Sequence, residues 1–289
     1  MRVRKAVILA AGLGTRMLPV TKVVPKELLP VVDTPAIQLV AEEAVRSGIQ
    51  EIVLVISPGK TALLEHFKPA PELERALEER EKHELLELVR GATRLASITA
   101  VEQPKPLGLG HAVLQAKEAV GAEPFAVMLP DDIFDCDPPL LKRLLEIATA
   151  KDAPTVALLR VPRADVSKYG IVAATPEEEQ IYKITQMVEK PSPENAPSEL
   201  AIMGRYVLPP EIFGLLENAK PGVGGEIQLT DALMDLARRR PVYGYEYCGA
   251  RYDLGDRLGF VTAQVAYALK RRELADNLRS KLRSLLDAA

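Results

Sequence analysis

Residues 5–16, Lys5-Ala6-Val7-Ile8-Leu9-Ala10-Ala11-Gly12-Leu13-Gly14-Thr15-Arg16, decide the fold. An unbroken apolar run that stops at two closely spaced glycines reads as a strand covered on both faces, followed by a sharp turn. Strand-like runs return at 51–57 (EIVLVIS), 97–103 (SITAVEQ), 125–130 (FAVMLP) and 155–161 (TVALLRV), most of them nearly unbroken hydrophobic stretches of the same type. Between these runs lie segments with helical spacing at 35–47, 61–67, 71–90, 110–120 and 138–149. Strand–helix alternation of this kind predicts an α/β fold: a Rossmann-like open, mostly parallel twisted sheet, wound right-handedly and flanked by helices. After Pro162 the rhythm changes. Short strand-like pieces at 170–175, 181–189 and 201–208 predict a smaller mixed or antiparallel β region. Residues 226–239 read as helix, 242–254 as extended chain, and 256–286 as a basic amphipathic helix or helix pair, with Leu274, Leu278, Leu282 and Leu285 forming a stripe for a core or a subunit interface.

No repeat, low-complexity tract or clear linker interrupts this pattern; the proline-rich stretch 191–197 reads as a surface loop. A single domain over 1–289 is expected, divided into a first half at 1–135, a second half at 136–255 and a C-terminal helical segment at 256–289.

The 289 residues carry 37 Lys and Arg against 40 Asp and Glu, a formal net charge of −3. That balance argues against broad binding to nucleic acid or to an anionic membrane. Any anionic ligand must be held by a local cluster. Two cysteines far apart, Cys136 and Cys248, and three scattered histidines exclude a disulfide framework and a structural zinc site. Met1–Lys5 runs straight into the first strand, and no stretch of about 18 apolar residues occurs, so a cytoplasmic protein is expected.

The glycine turn matches neither of two common phosphate loops. A dinucleotide fingerprint needs Gly or Ala where Met17 stands, and no GK[ST] closes a Walker A loop. Yet Arg16, Lys22 and Lys26 place three cations just after it, in a stretch too broken by proline to be one helix. A solvated basic loop is the bland alternative. Cations beside exposed backbone N–H groups, at the carboxyl end of a first strand, favour phosphate binding.

Residues 12–38 (GLGTRMLPVTKVVPKELLPVVDTPAIQ) resemble the signature of nucleoside-triphosphate:sugar-1-phosphate nucleotidyltransferases. Later segments agree in order: GLGHA at 108–112, LPDD at 129–132, VEKP at 188–191, GRY at 204–206, GEIQLTD at 225–231 and YDLGD at 252–256. The Lys26-Glu27 form and the 108–112 segment are similar to the bacterial branch that uses UTP and glucose 1-phosphate. A branch using dTTP or CTP is the rival, and a silent sugar-nucleotide-binding paralogue is disfavoured because the loop and carboxylates are all present. The resemblance implies an enzyme that makes UDP-glucose and pyrophosphate with Mg²⁺, acting as a homodimer or homotetramer.

By this resemblance Arg16 and Lys26, with the N–H groups around Gly14 and Thr15, hold the triphosphate. Gln103 and the backbone near Ala11, Gly12 and Gly108 read uracil, with Glu27 close by. Glu189 binds glucose hydroxyls, Lys190 grips the sugar phosphate, and Gly170 lets the sugar approach. Glu226 and Gln228 border the same sugar pocket, while Arg205 is structural. Asp131-Asp132 ends a hydrophobic strand, where a divalent cation commonly relieves the cost of charge, and Asp253 or Asp256 offers a second carboxylate. The resemblance implies that Asp131 and Asp253 hold the metal and that Asp132 is directed at the nucleotide sugar or nearby groups. His111, in a helix after a glycine turn, reads as packing or capping rather than acid–base catalysis.

Overall fold

A computed structural model describes residues 1–288; Ala289, the end of the expected C-terminal segment, lies outside them. In chain order the first elements are β1 (Lys5–Ala10), the two-residue strands β2 (Pro30–Val31) and β3 (Thr34–Pro35), α1 (Ala36–Arg46), β4 (Glu51–Ile56), α2 (Ala62–Glu65), α3 (Pro71–Glu79) and α4 (His83–Thr93). Then come β5 (Ser97–Glu102), α5 (Leu109–Gln115), α6 (Lys117–Val120), β6 (Phe125–Met128), β7 (Asp132–Asp135), α7 (Leu140–Lys151) and β8 (Thr155–Arg160). The remainder is β9 (Gly170–Glu178), β10 (Ile181–Glu189), β11 (Leu200–Leu208), α8 (Glu211–Glu217), α9 (Leu229–Ala237), β12 (Tyr243–Glu246), β13 (Ala250–Asp253), α10 (Arg257–Ala268) and α11 (Arg272–Asp287).

The main sheet runs β5-β4-β1-β6-β11-β8-β12-β10-β9. Its first four strands are parallel, as their apolar runs predict. On β1, Ala6, Ile8 and Ala10 enter one core while Val7, Leu9 and Ala11 enter the other. The period of two therefore sends every residue of the run into a covered face. α1 and α7 cover the first face, and α5, α8 and α9 cover the second.

The expected open, mostly parallel sheet is corrected beyond β6. There β11 inserts antiparallel between β6 and β8, so β8 does not continue the parallel run. The far end then closes on itself: β11 also pairs with β9, giving a five-strand ring β11-β8-β12-β10-β9. A register irregularity on β11 between Ile202 and Tyr206 is the cause. Such a break bends a strand, so Arg205–Leu208 stay on β6 while Leu200–Ala201 turn to β9.

Smaller differences have local causes. The helix expected over 71–90 divides at Glu81, whose φ of 55° ends α3 and lets Lys82 N–H reach Leu77 O. Residues 226–228 are extended, with helix only from Leu229; residues 242–254 form two strands; the C-terminal segment is a helix pair. On α11 the leucine stripe is exposed or half-buried, so it does not build the core. Ion pairs Lys270–Asp135 and Arg271–Asp33 tie the pair to the body.

Candidate active site

The carboxyl ends of β1, β4 and β6 share one edge of the sheet, where parallel α/β sheets present ligand-contacting groups. The loop after β1 is built from single turns of 3₁₀ helix at Thr15–Met17, Val20–Lys22 and Lys26–Leu28, since prolines 19 and 25 forbid a continuous helix. Gly14 adopts φ 66°, and its carbonyl accepts from Met17 N–H and from the Thr21 hydroxyl. Gly12, Thr15, Arg16 and Lys22 are exposed.

A cavity of about 280 Å³ opens beside this loop, and Ala11, Gly12, Lys26, Gln103, Gly108 and Asp131 line it. Glu226 lines it too, because the 107–110 turn is stitched to 226–228 by Ile227 N–H on Leu107 O and Gly110 N–H on Ile227 O, each 2.8 Å. A methyl group on Gly108 would stand 2.7 Å from both Glu226 Cβ and Ile227 O, so only glycine permits this approach. Glu226 thus stands in the loop-side cavity, a correction to its expected place beside Glu189; Gln228 donates to it at 3.1 Å.

A second cavity of about 240 Å³ adjoins the first through Asp131 and Leu129, and also includes Arg16, Asp132, Tyr169, Arg251 and Asp253. Lys26 Nζ donates to Asp131 Oδ2 at 2.5 Å. Burial opposes both charges, but each stabilises the other: the Lys26 pKa is raised and that of Asp131 lowered. β13 pairs with β7 so that Asp253 stands opposite Asp132, and Leu254 N–H reaches Asp131 O at 2.7 Å. Asp131 Oδ2 and Asp253 Oδ1 both lie 2.9 Å from the point a methyl group on Gly255 would occupy, and an Arg16 guanidinium nitrogen lies 2.6 Å from it. Arg16 is mostly exposed and its nearest approach to Asp253 is 4.0 Å, leaving its donors to face a ligand. Asp256, the rival to Asp253, is engaged elsewhere: its Oδ1 caps α10 through Leu258 and Gly259 N–H.

Asp132, expected to face the nucleotide sugar or nearby groups, lines the second cavity and is engaged by neighbouring protein groups. It is buried, accepts Gly204 N–H at 3.0 Å, and forms an ion pair with Arg251. Burial pushes its carboxyl pKa up, against the pull of Arg251. Its carboxylate therefore packs the wall of the second cavity.

Gly170, Glu189 and Lys190 form a third group. Adjacent strand residues ordinarily face opposite sides. Here Lys190 takes φ 45° at the end of β10, which brings its Nζ to 3.6 Å from Glu189 Oε1. Glu189 Oε2 accepts the Thr230 hydroxyl at 2.6 Å, and both atoms crowd Gly170. Lys190 N–H bonds Tyr169 O, joining this group to the second cavity.

Three supports escaped the sequence reading or were only partly seen. Lys60, after the Pro58-Gly59 turn at the end of β4, donates to Ala10 O, Gly12 O and Glu27 Oε2 at 3.0, 2.6 and 3.0 Å. It straps the glycine loop down. Glu27 is buried, Oε1 has no partner, and burial pushes its pKa up against Lys60 and Lys26. A lone lysine at the same strand edge as the glycine turn was the available signal for Lys60. Arg205, fully buried, donates to Glu43 and to the carbonyls of Leu129, Gly204 and Asp132. It grips the chain on both sides of Asp131, in keeping with the structural role expected of it.

Among the described residues no cluster of three or more His, Cys, Asp or Glu could close around a metal ion. Two converging carboxylates without sulfur or imidazole are the donor set of a hard cation that completes its shell with phosphate oxygens and water.

Residues 5–269 match the family model described as nucleotidyl transferase. The chain belongs to the nucleotidyl transferase family. Within the nucleotidyl transferases, it is 47% identical over 286 residues to the UTP–glucose-1-phosphate uridylyltransferase of Bacillus subtilis, covering 99% of this chain and 98% of that one. It is 45% identical over 284 residues to the protein of that name from Staphylococcus epidermidis, covering 98% and 99%. Solved relatives include a UDP-glucose pyrophosphorylase complexed with UDP-glucose (40% identity, TM-score 0.84, 93% of this chain and all of that one). A UTP-bound UGPase from Acinetobacter baumannii superposes with TM-score 0.90 at 40% identity, over 98% of this chain and all of its own. The nucleotidyl transferase match contains every site residue described above and leaves all of α11 outside.

Proposed function

We propose that this chain transfers a uridylyl group from UTP to glucose 1-phosphate, releasing UDP-glucose and pyrophosphate. The observation that carries the reading is the convergence of Lys26, Arg16, Asp131 and Asp253 beside the glycine loop, in a chain so similar throughout to proteins named for this reaction. An oxygen of the sugar phosphate attacks the α-phosphorus of UTP. The bond from that phosphorus to the bridging oxygen breaks, and pyrophosphate leaves with the electron pair. A phosphate monoester has its second pKa at about 6, so the attacking group is already a dianion at neutral pH and needs no general base. The remaining task is to bring like charges together in line.

Arg16, Lys26 and the N–H groups around Gly14 and Thr15 hold the triphosphate and receive the leaving charge. Ala11, Gly12, Gln103 and Gly108 bind the base, with Glu226 at the rim and Glu27 beneath. Lys190 orients the attacking phosphate; Glu189 holds sugar hydroxyls beside Gly170. Asp131 and Asp253 would hold Mg²⁺, which when bound neutralises charge on the phosphates. Asp132 keeps Arg251 and the second cavity's wall in place. The nucleotide half (1–135) and sugar half (136–255) work as one domain, since both supply the site. Leu285 and Leu286, exposed on α11, support self-association as a homodimer or homotetramer. No helix among the described residues is long and apolar enough to cross a membrane.

Pyrophosphate release measured across UTP, dTTP, CTP and ATP, each with glucose 1-phosphate or galactose 1-phosphate and Mg²⁺, tests the reading. UTP with glucose 1-phosphate should be the best pair by at least roughly tenfold in kcat/KM; preference for dTTP or CTP would overturn it. Lys190→Ala should raise KM for glucose 1-phosphate about 10–100-fold, the loss of one charged hydrogen bond, with UTP affinity nearly unchanged. Equal loss for both substrates contradicts its assignment.

A further inference from the structure

Gln103 is 6% exposed and lines the loop-side cavity with its amide held from behind. Its Nε2 donates to Gly108 O at 3.3 Å and stands 2.9 Å from His111 Nδ1. An amide presents two donors at one end and an acceptor at the other, and which end faces a ligand decides what it can read. Gly108 O is fixed backbone that can only accept, so it turns the NH₂ end toward itself. With that end turned back, His111 Nδ1 must accept the second hydrogen, and the imidazole carries its single proton on Nε2.

We propose that His111 is a positioning residue for base choice: by accepting from Gln103 it leaves Gln103 Oε1 as the group offered to the pyrimidine edge. Uracil has N3–H to donate to that oxygen, whereas cytosine has a bare N3 that repels it. The inference rests on the uridylyl-transfer reading above and adds the device that makes it selective. Burial lowers the His111 pKa, which keeps the ring neutral and Nδ1 able to accept. The opposing contact is Gln115 Nε2, 3.3 Å from His111 Nε2. Gln115, half-buried at the end of α5, turns its NH₂ end this way to donate to His111 O at 3.2 Å, so its place beside the ring is accounted for without a bond to Nε2. Of the two ring contacts the one to Gln103 is the shorter, 2.9 Å against 3.3 Å, and sets the tautomer. His111 acts through Gln103 alone.

The test compares kcat/KM for UTP and for CTP, with glucose 1-phosphate, in wild type, His111→Leu and His111→Asn, alongside ¹⁵N NMR of the imidazoles in the wild-type protein. His111→Leu removes the acceptor; His111→Asn can place Oδ1 where Nδ1 stands. Leucine should shrink the UTP:CTP ratio roughly tenfold through KM for UTP, with kcat within about threefold, and asparagine should restore it. The His111 ring should show its proton on Nε2. A ratio unchanged in His111→Leu, an asparagine variant as unselective as the leucine one, or a proton on Nδ1 overturns the inference while leaving uridylyl transfer standing. A wild type that does not favour UTP overturns both. If His111→Leu fails to fold, the asparagine ratio and the NMR tautomer still decide.

Discussion

Asp131→Asn is expected to lower turnover by about 10³-fold, a loss of about 4 kcal/mol of transition-state stabilisation. The substitution keeps the size of the side chain and removes the charge that pairs with Lys26 and converges with Asp253. Asparagine still offers one oxygen, so a divalent cation would be held weakly, and raising Mg²⁺ should recover part of the rate. Chelation of divalent cations should stop the wild type outright. Asp253→Asn should resemble Asp131→Asn. Asp256→Asn should not, because its oxygen caps α10 and asparagine caps nearly as well. Steady-state rates over a Mg²⁺ series, with circular dichroism to confirm folding, check the set. A rate for Asp131→Asn within tenfold of wild type would falsify the metal assignment.

Arg205→Leu is expected to destabilise the fold by about 3–5 kcal/mol, a large share of the roughly 5–15 kcal/mol available to a domain. The guanidinium has no exposed surface, and removing it strands Glu43, already mostly buried, together with three carbonyls. Changing Glu43 to Leu in the same chain should recover part of the loss, since an apolar pair leaves no buried charge alone. Urea unfolding midpoints of the single and double variants measure this. A midpoint for Arg205→Leu close to wild type would show that water reaches Glu43.

The parallel half of the fold was legible because its information is local. The apolar runs of β1, β4 and β6 bury both faces of one strand each, while β5 at the sheet edge stays partly exposed, and the glycine turn marks where β1 ends. Asp131 could be found at the end of β6 for the same reason. What local patterns could not carry is pairing at a distance. Nothing in the run at 201–208 says that it inserts beside β6 or that its first residues turn to β9; that follows from the irregularity near Gly204 and from which faces remain to be covered. Side-chain partnerships behave likewise. Asp132 looked available for a ligand until Arg251, more than a hundred residues later, met it across the β7–β13 ladder. Lys60 is not singled out by the sequence, because the carbonyls it binds come within its reach only after β1 and β4 pair.

The strand β11 belongs at once to the parallel sheet and to the ring, with backbone ladders to β6, β8 and β9. The two parts of the sheet therefore share a spine. A clamshell swing of one half against the other would have to tear hydrogen bonds from a buried strand. Opening to admit substrates and release products is left to the exposed segments bordering the cavities, residues 13–24 and 220–225, over a floor that stays still.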